Sequence, residues 1–160
     1  MYNINDVSDY VILKLKLEDN HSLINLKLQK LLYYIQAWSY GMYEKPFFNG
    51  DFQAWIHGPV NIDIYNRFNS TKYLYSEIEI EDVSDNTVFD KFDKNDSEFI
   101  DYILENYAQF SGAQLENISH NEQPWIETRG HLKSNERCTK IISPDLLISY
   151  YGKKWEEINK

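Results

Sequence analysis

Cysteine is nearly missing from this chain: Cys138 stands alone, so no internal disulfide can form. A lone thiol suits a reducing compartment rather than a disulfide-stapled secreted scaffold. Proline and glycine are scarce, four and six residues respectively, and nowhere do they cluster. Without a linker of that composition, residues 1–160 read as one domain. No apolar run approaches the roughly 20 residues that cross a bilayer. The opening Met1-Tyr2-Asn3-Ile4-Asn5-Asp6 shows no basic region ahead of an apolar one, so a cytoplasmic protein off the membrane is expected.

Recognised catalytic patterns are lacking too. There is no glycine-rich phosphate loop, no dinucleotide fingerprint and no Gly-x-Ser-x-Gly elbow. No cofactor is therefore predicted. His57 and His120 invite an acid–base or metal reading, with Glu122 nearby. Their spacing supports neither, because the two histidines lie far apart and neither has a ligand partner four residues away. His120 and Glu122, two residues apart, would point to different faces of a helix. A ring nitrogen that orients a turn fits both histidines better, and no metal site is predicted. Cys138 has Arg137 and Lys140 beside it, which could lower its pKa, yet a nucleophile would also need a histidine base in space. A packed, inert thiol is the simpler reading.

What the chain has in abundance is acid and tyrosine. Its formal net charge is −9. The stretch from Glu77 to Glu105 carries eleven acids against Lys91 and Lys94, and the rest of the chain is balanced. A phosphate backbone would be repelled, and no basic stripe offsets this, so nucleic acid is not an expected partner. A basic protein would be steered in, with Glu79, Glu81 and Asp82 as candidate contacts; a solvated surface is the plainer alternative. The thirteen tyrosines supply apolar area with a polar tip, useful in cores and in interfaces alike.

The fold expected is mainly α (α+β): a compact helical domain around one central apolar helix, with one small β-hairpin. Asn5 or Asp6 could cap a first helix running into Leu17, broken by Asp19-Asn20-His21-Ser22. The central helix spans about 23–43, with Leu28, Leu31, Leu32, Ile35, Trp38 and Met42 at three- and four-residue spacing. Its other side would carry Lys27, Gln29, Lys30, Tyr33, Tyr34 and Gln36. Of these, Lys30, Tyr33 and Tyr34 are candidate partner contacts; equally, the tyrosines could end a core with their hydroxyls wet. Asn49-Gly50 between phenylalanines signals a hairpin turn, with Gln53 to His57 continuing its second strand and Gly58-Pro59 ending it. Val60, Ile64 and Phe68 suit a short helix. Residues 77–81 alternate like an exposed strand. Asn95 or Asp96 would cap a helix through Tyr107. Ser111 with Gln114 forms a capping box for another. Pro124 fits a first helical turn, and Pro144 after Ser143 opens the last helix.

Three stretches together carry a resemblance. They are Leu26-Lys27-Leu28-Gln29-Lys30-Leu31-Leu32-Tyr33-Tyr34, Ala54-Trp55-Ile56-His57-Gly58-Pro59-Val60 with Tyr65, and Leu115 to His120 followed by Pro124-Trp125. With Ser149-Tyr150-Tyr151 they span nearly the whole chain in order. The pattern resembles the Panacea (SocA-like) antitoxin domain, also found in phage-associated GepA proteins. The resemblance implies an antitoxin that neutralises a co-encoded toxin by direct protein contact, and for SocA-like members an adaptor that delivers the toxin to the ClpXP protease. A phage accessory or counter-defence inhibitor is the alternative, and an enzyme using His57 and His120 is a more distant one. It implies no catalytic residues. Trp55, His57, Gly58, Pro59, His120, Pro124 and Trp125 are expected to be structural.

Overall fold

The computed structural model describes residues 1–19 and 21–160. It is mainly α with small β pairings. Strand β1 (Tyr2–Asn3) leads into helix α1 (Ile4–Lys14), which widens into a π-helical turn at Leu15–Asp19. The cap of α1 is Asn3, whose side chain accepts from the Asn5 amide at 2.8 Å, not Asn5 or Asp6. Of the helix break expected over residues 19–22, Asn20 lies outside the described residues.

Helix α2 (Asn25–Tyr43) is the hub, and every residue from Asn25 to Tyr40 is buried. No side chain caps its start. Instead the Asn25 and Leu26 amides donate to the carbonyls of Ser76 and Leu74, both at 2.9 Å. A distant loop thus satisfies donors that the first turn leaves open. At the other end Glu44 takes a left-handed conformation (φ 57°), and its amide closes onto the Tyr40 carbonyl.

Next come β2 (Phe48–Asn49), β3 (Gln53–Trp55), β4 (Gly58–Val60) and α3 (Ile62–Phe68), capped by Asn61. The expected hairpin exists, but not at Asn49-Gly50. Strand β2 pairs in parallel with β1, Tyr2 opposite Phe48. The hairpin is β3–β4, turning at Ile56-His57, so Gly58-Pro59 belongs to the returning strand instead of ending the first. The physical reason is a competitor for β2. The Gln36 side chain accepts from the Phe47 and Phe48 amides and donates to the carbonyls of Phe48 and Gly50, holding that stretch against α2.

Residues 77–81 do not form a strand of their own. Glu77 makes one bridge to Ile24, Ile78 is fully buried, and a 3-10 turn follows at Ile80–Asp82. Helix α4 (Lys94–Tyr107) is capped by Asp93, one turn's worth ahead of the expected Asp96. Helix α5 (Gly112–His120) has the Ser111–Gln114 capping box. Helix α6 (Gln123–Arg129) has Pro124 in its first turn, and α7 (Pro144–Ile158) starts at Pro144 with Ser143 as cap. Helix α7 runs along α2 at very close range. A β-carbon placed on Gly41 would lie 2.6 Å from that of Tyr151, so only glycine permits this approach.

Candidate functional site

The side of α2 expected to face solvent has no solvent to face. Lys27, Gln29, Lys30, Tyr33, Tyr34 and Gln36 are all buried, Lys30 and Tyr34 at 0% exposure and Tyr33 at 1%. This corrects the assignment of Lys30, Tyr33 and Tyr34 as partner contacts: side chains without exposed surface have nothing to offer a docking protein. The missed signal lies in the neighbours. Each polar group is matched by a backbone or side-chain partner eleven or more residues away, which periodicity along one helix does not reveal. Gln29, for example, exchanges two hydrogen bonds with the Asn61 backbone, and Lys27 Nζ donates to the Ala108 carbonyl at 2.6 Å.

Tyrosine hydroxyls meet at Glu122, at the entry to α6. Tyr34 donates to Glu122 Oε1 at 2.7 Å and Tyr151 donates to the same oxygen at 3.0 Å. The Tyr33 and Tyr151 hydroxyls are 3.2 Å apart, and Tyr151's proton is already directed at Glu122, so Tyr33 is the donor in that pair. Tyr107 stacks on Tyr34 with centroids 4.0 Å apart, and its hydroxyl accepts from the Trp38 indole at 2.8 Å. Lys154 Nζ stands 3.8 Å from the other Glu122 oxygen. Burial raises the Glu122 carboxyl above its usual range, opposed by the donated hydroxyls and Lys154. Burial and the neighbouring Glu122 carboxylate push the Tyr34 hydroxyl far upward. Neutral hydroxyls here act as donors.

Lys30 ties a second junction. Its Nζ donates to the Pro59 carbonyl at 3.1 Å, and burial lowers its pKa to about 7, offset in part by Glu116. Gly58 lies directly over the lysine in a left-handed conformation (φ 98°). A β-carbon there would sit 2.6 Å from Lys30 Cε and 2.9 Å from Ser119 Oγ. So the first, second and third motif stretches touch at one point.

The third junction is built on Trp125. Its indole donates to the Trp55 carbonyl at 2.8 Å. Arg129, buried on the same helix, donates to the Ala54 carbonyl and to the Lys133 and Glu136 carbonyls, and stands over the Trp125 ring. His120 stacks on that ring at 4.0 Å, and desolvation lowers its pKa. His57 turns outward instead, with Nδ1 2.8 Å from Glu116. The two histidines make different contacts, His57 with Glu116 at the surface and His120 with the Trp125 ring. Among the described residues, no group of three His, Cys, Asp or Glu side chains is placed to hold a metal ion. Cys138 is buried.

The acidic segment is half scaffold. Glu77 pairs with Lys16 at 2.5 Å and accepts from Ser22 and the Leu23 amide. Asp82 binds Lys72 at 3.2 Å and accepts from the Glu79 amide. Asp96 accepts from Tyr2 and Asp101 from Tyr10, both on the N-terminal segment. Glu79 and Glu81 are exposed. Sequence reasoning also passed over Asp9, which is buried, pairs with Arg67 at 2.6 Å and accepts from the Ser84 and Asp85 amides.

The three junctions join stretches that fall within one family's span. The profile described as antitoxin SocA-like, Panacea domain, matches residues 28–126. This chain belongs to that family. It is 33% identical over 107 residues to the antitoxin SocA of Caulobacter vibrioides (strain NA1000 / CB15N), covering 63% of this chain and 57% of that protein. The chain thus spans little more than half the length of that relative. No solved structure matches it. The Panacea match ends at Ile126, before α7, so the Tyr151 contact to Glu122 comes from outside the matched span. Among the described residues, no helix is long and apolar enough to cross a membrane.

Proposed function

We infer that this Panacea protein is an antitoxin that binds a co-encoded toxin directly and neutralises it, the 160 residues acting as one binding domain. Membership of the SocA-like family carries this reading. The geometry favours binding over catalysis. Lys30, Tyr33, Tyr34 and Glu122 are buried and bonded to one another or to backbone, where no substrate reaches them. Trp55, Gly58, Pro59, His120, Pro124 and Trp125 form a folding frame, with His57 at its exposed edge beside Glu116, and recognition belongs to the surface that the frame holds in place.

The test is genetic and then biochemical. Expression of the open reading frame next to this gene should arrest growth, and co-expression of this protein should relieve it. The two should also co-purify. A neighbour that is harmless, or that is neutralised without any complex, would overturn the reading. Delivery to ClpXP is the finer proposal that the family resemblance supports. It requires that the toxin's half-life lengthen in cells lacking the protease; an unchanged half-life leaves neutralisation by sequestration alone.

A further inference from the structure

An open groove of about 830 Å³ lies away from all three motif junctions. It is lined by Met1 and Tyr2, the end of α2 and the chain through Phe47, the first turns of α4, and Trp155 of α7. Two of its tyrosines are exposed, Tyr43 at 52% and Tyr102 at 41%. Aromatic side chains held on helices and left exposed lose little entropy on docking, which suits them to anchoring a partner.

Charge selects the occupant. Asp96 and Glu98 line the groove with Met1 and Lys45; Asp96 accepts from Tyr2, and Glu98 is held only loosely, 3.9 Å from the exposed Lys94. Glu98, Tyr102 and Glu105 follow at four- and three-residue spacing, so they form a single stripe along α4. Over Asp93 to Tyr107 there are five acids and one lysine, Lys94. The end of α2, with the partial negative charge of its last carbonyls, points the same way. An apolar trough beside an acidic stripe repels nucleic acid and anionic lipid, and it repels a second copy of this acidic chain. It complements a helix with apolar residues on one face and Lys or Arg flanking them.

We propose that this groove receives a basic amphipathic helix of the partner toxin, seated between Tyr43 and Tyr102 with its cations against Glu98 and Glu105. The inference rests on the antitoxin reading for the identity of the partner, and on the groove for the chemistry of the contact. The probe is a synthetic helix of about four turns, with Leu and Phe on one face and Lys and Arg on the other, beside the same peptide with Glu in place of its cations. Amide chemical shifts of the labelled protein should move only around the groove with the basic peptide and not with the acidic one. Glu98→Lys with Glu105→Lys should weaken that binding by about tenfold or more, as loss of a rim charge pair and its steering implies. In co-purification with the neighbouring gene product, Tyr43→Ser with Tyr102→Ser should lose the complex. Tyr73→Ser, at a tyrosine 85% exposed elsewhere, should keep it. Thermal melts should match the parent for Tyr73→Ser and the glutamate variants, and should stay a single cooperative transition for the Tyr43 and Tyr102 variant, slightly lowered by loss of the Tyr43–Phe99 ring contact. Overturning results are a basic peptide that shifts nothing or shifts another face, and a groove variant that still holds the toxin. A basic peptide seated in the groove of a protein that fails to bind its neighbour's product would instead overturn the antitoxin reading and leave the groove's preference for a basic helix standing.

Discussion

Lys30 shows how an ordinary surface residue type becomes part of a core. Its amine is buried and bonded to the Pro59 carbonyl, with a pKa lowered to about 7. An unfolded lysine titrates near 10.4. Between these values the unfolded chain holds a proton that the folded one does not, so stability rises as pH climbs from about 7 toward 10. Above pH 10 the trend reverses. The buried hydroxyls of Tyr33, Tyr34 and Tyr151 have pKa values raised by burial, so the unfolded state loses protons first and stability falls. Denaturant melts across this range should show that maximum, and Lys30→Met should flatten the rising limb while leaving the falling one. At Glu122, Gln keeps an acceptor for Tyr34 and Tyr151 and removes the buried charge, so Glu122→Gln should melt close to the parent. Glu122→Leu strands two buried hydroxyls and should cost about 1–3 kcal/mol for each. Equal melts for the two variants would contradict the network. Gly58→Val meets both a φ of 98° and the Lys30 side chain. It should destabilise by about 1–3 kcal/mol, the range for a residue forced into a sparse backbone region.

Among elements, the α2–α7 contact is the most demanding. Gly41→Ala would place a β-carbon 2.6 Å from Tyr151 Cβ and 2.7 Å from its carbonyl carbon, which must move the helices apart. The expected loss is about 1–3 kcal/mol, as for other overpacked cores. Gly152→Ala meets only the Gly41 carbonyl at 3.5 Å, an ordinary contact, and should be close to neutral. Matching losses at the two glycines would show that the helices are not held at this distance. Local chemistry made some elements legible in advance. The Ser111–Gln114 box, the proline-led α7 and the apolar row of α2 all stand in the sequence, because caps and periodicity are local. The hairpin was displaced and the inward polar side of α2 was missed for one shared reason. Gln36, Gln29 and Lys27 bond to backbone groups about 11 to 81 residues away, and such pairings outvote local turn or solvation preference. The alternating run at 77–81 failed likewise, since Ile24 and the α2 amides claim that neighbourhood.

For the whole molecule, charge and exposed aromatics divide the labour of recognition. Glu79 and Glu81 are exposed, whereas Asp82 also holds Lys72; Glu79 caps the turn by accepting from the Asp82 amide, an acceptor that Gln retains, so neutralising the first two tests steering without loosening the loop. Glu79→Gln with Glu81→Gln should slow association with the toxin and weaken its salt dependence, leaving dissociation nearly unchanged. Tyr43→Ser or Tyr102→Ser should act mainly on dissociation. Stopped-flow or surface binding kinetics at several ionic strengths separate the two, and an association rate indifferent to both salt and neutralisation would make the acidic loop a solubility surface only.

The frame-and-surface division is tested most directly by amide hydrogen exchange of the protein alone and in complex with the neighbouring gene's toxin. The motif stretches at 28–34, 54–60 and 119–125 should be strongly protected before binding and unchanged after it, with new protection confined to the end of α2, to α4 and to the loop carrying Glu79 and Glu81. Motif stretches that exchange freely in the isolated protein and become protected only with the toxin would show that they are the binding surface, contradicting the account.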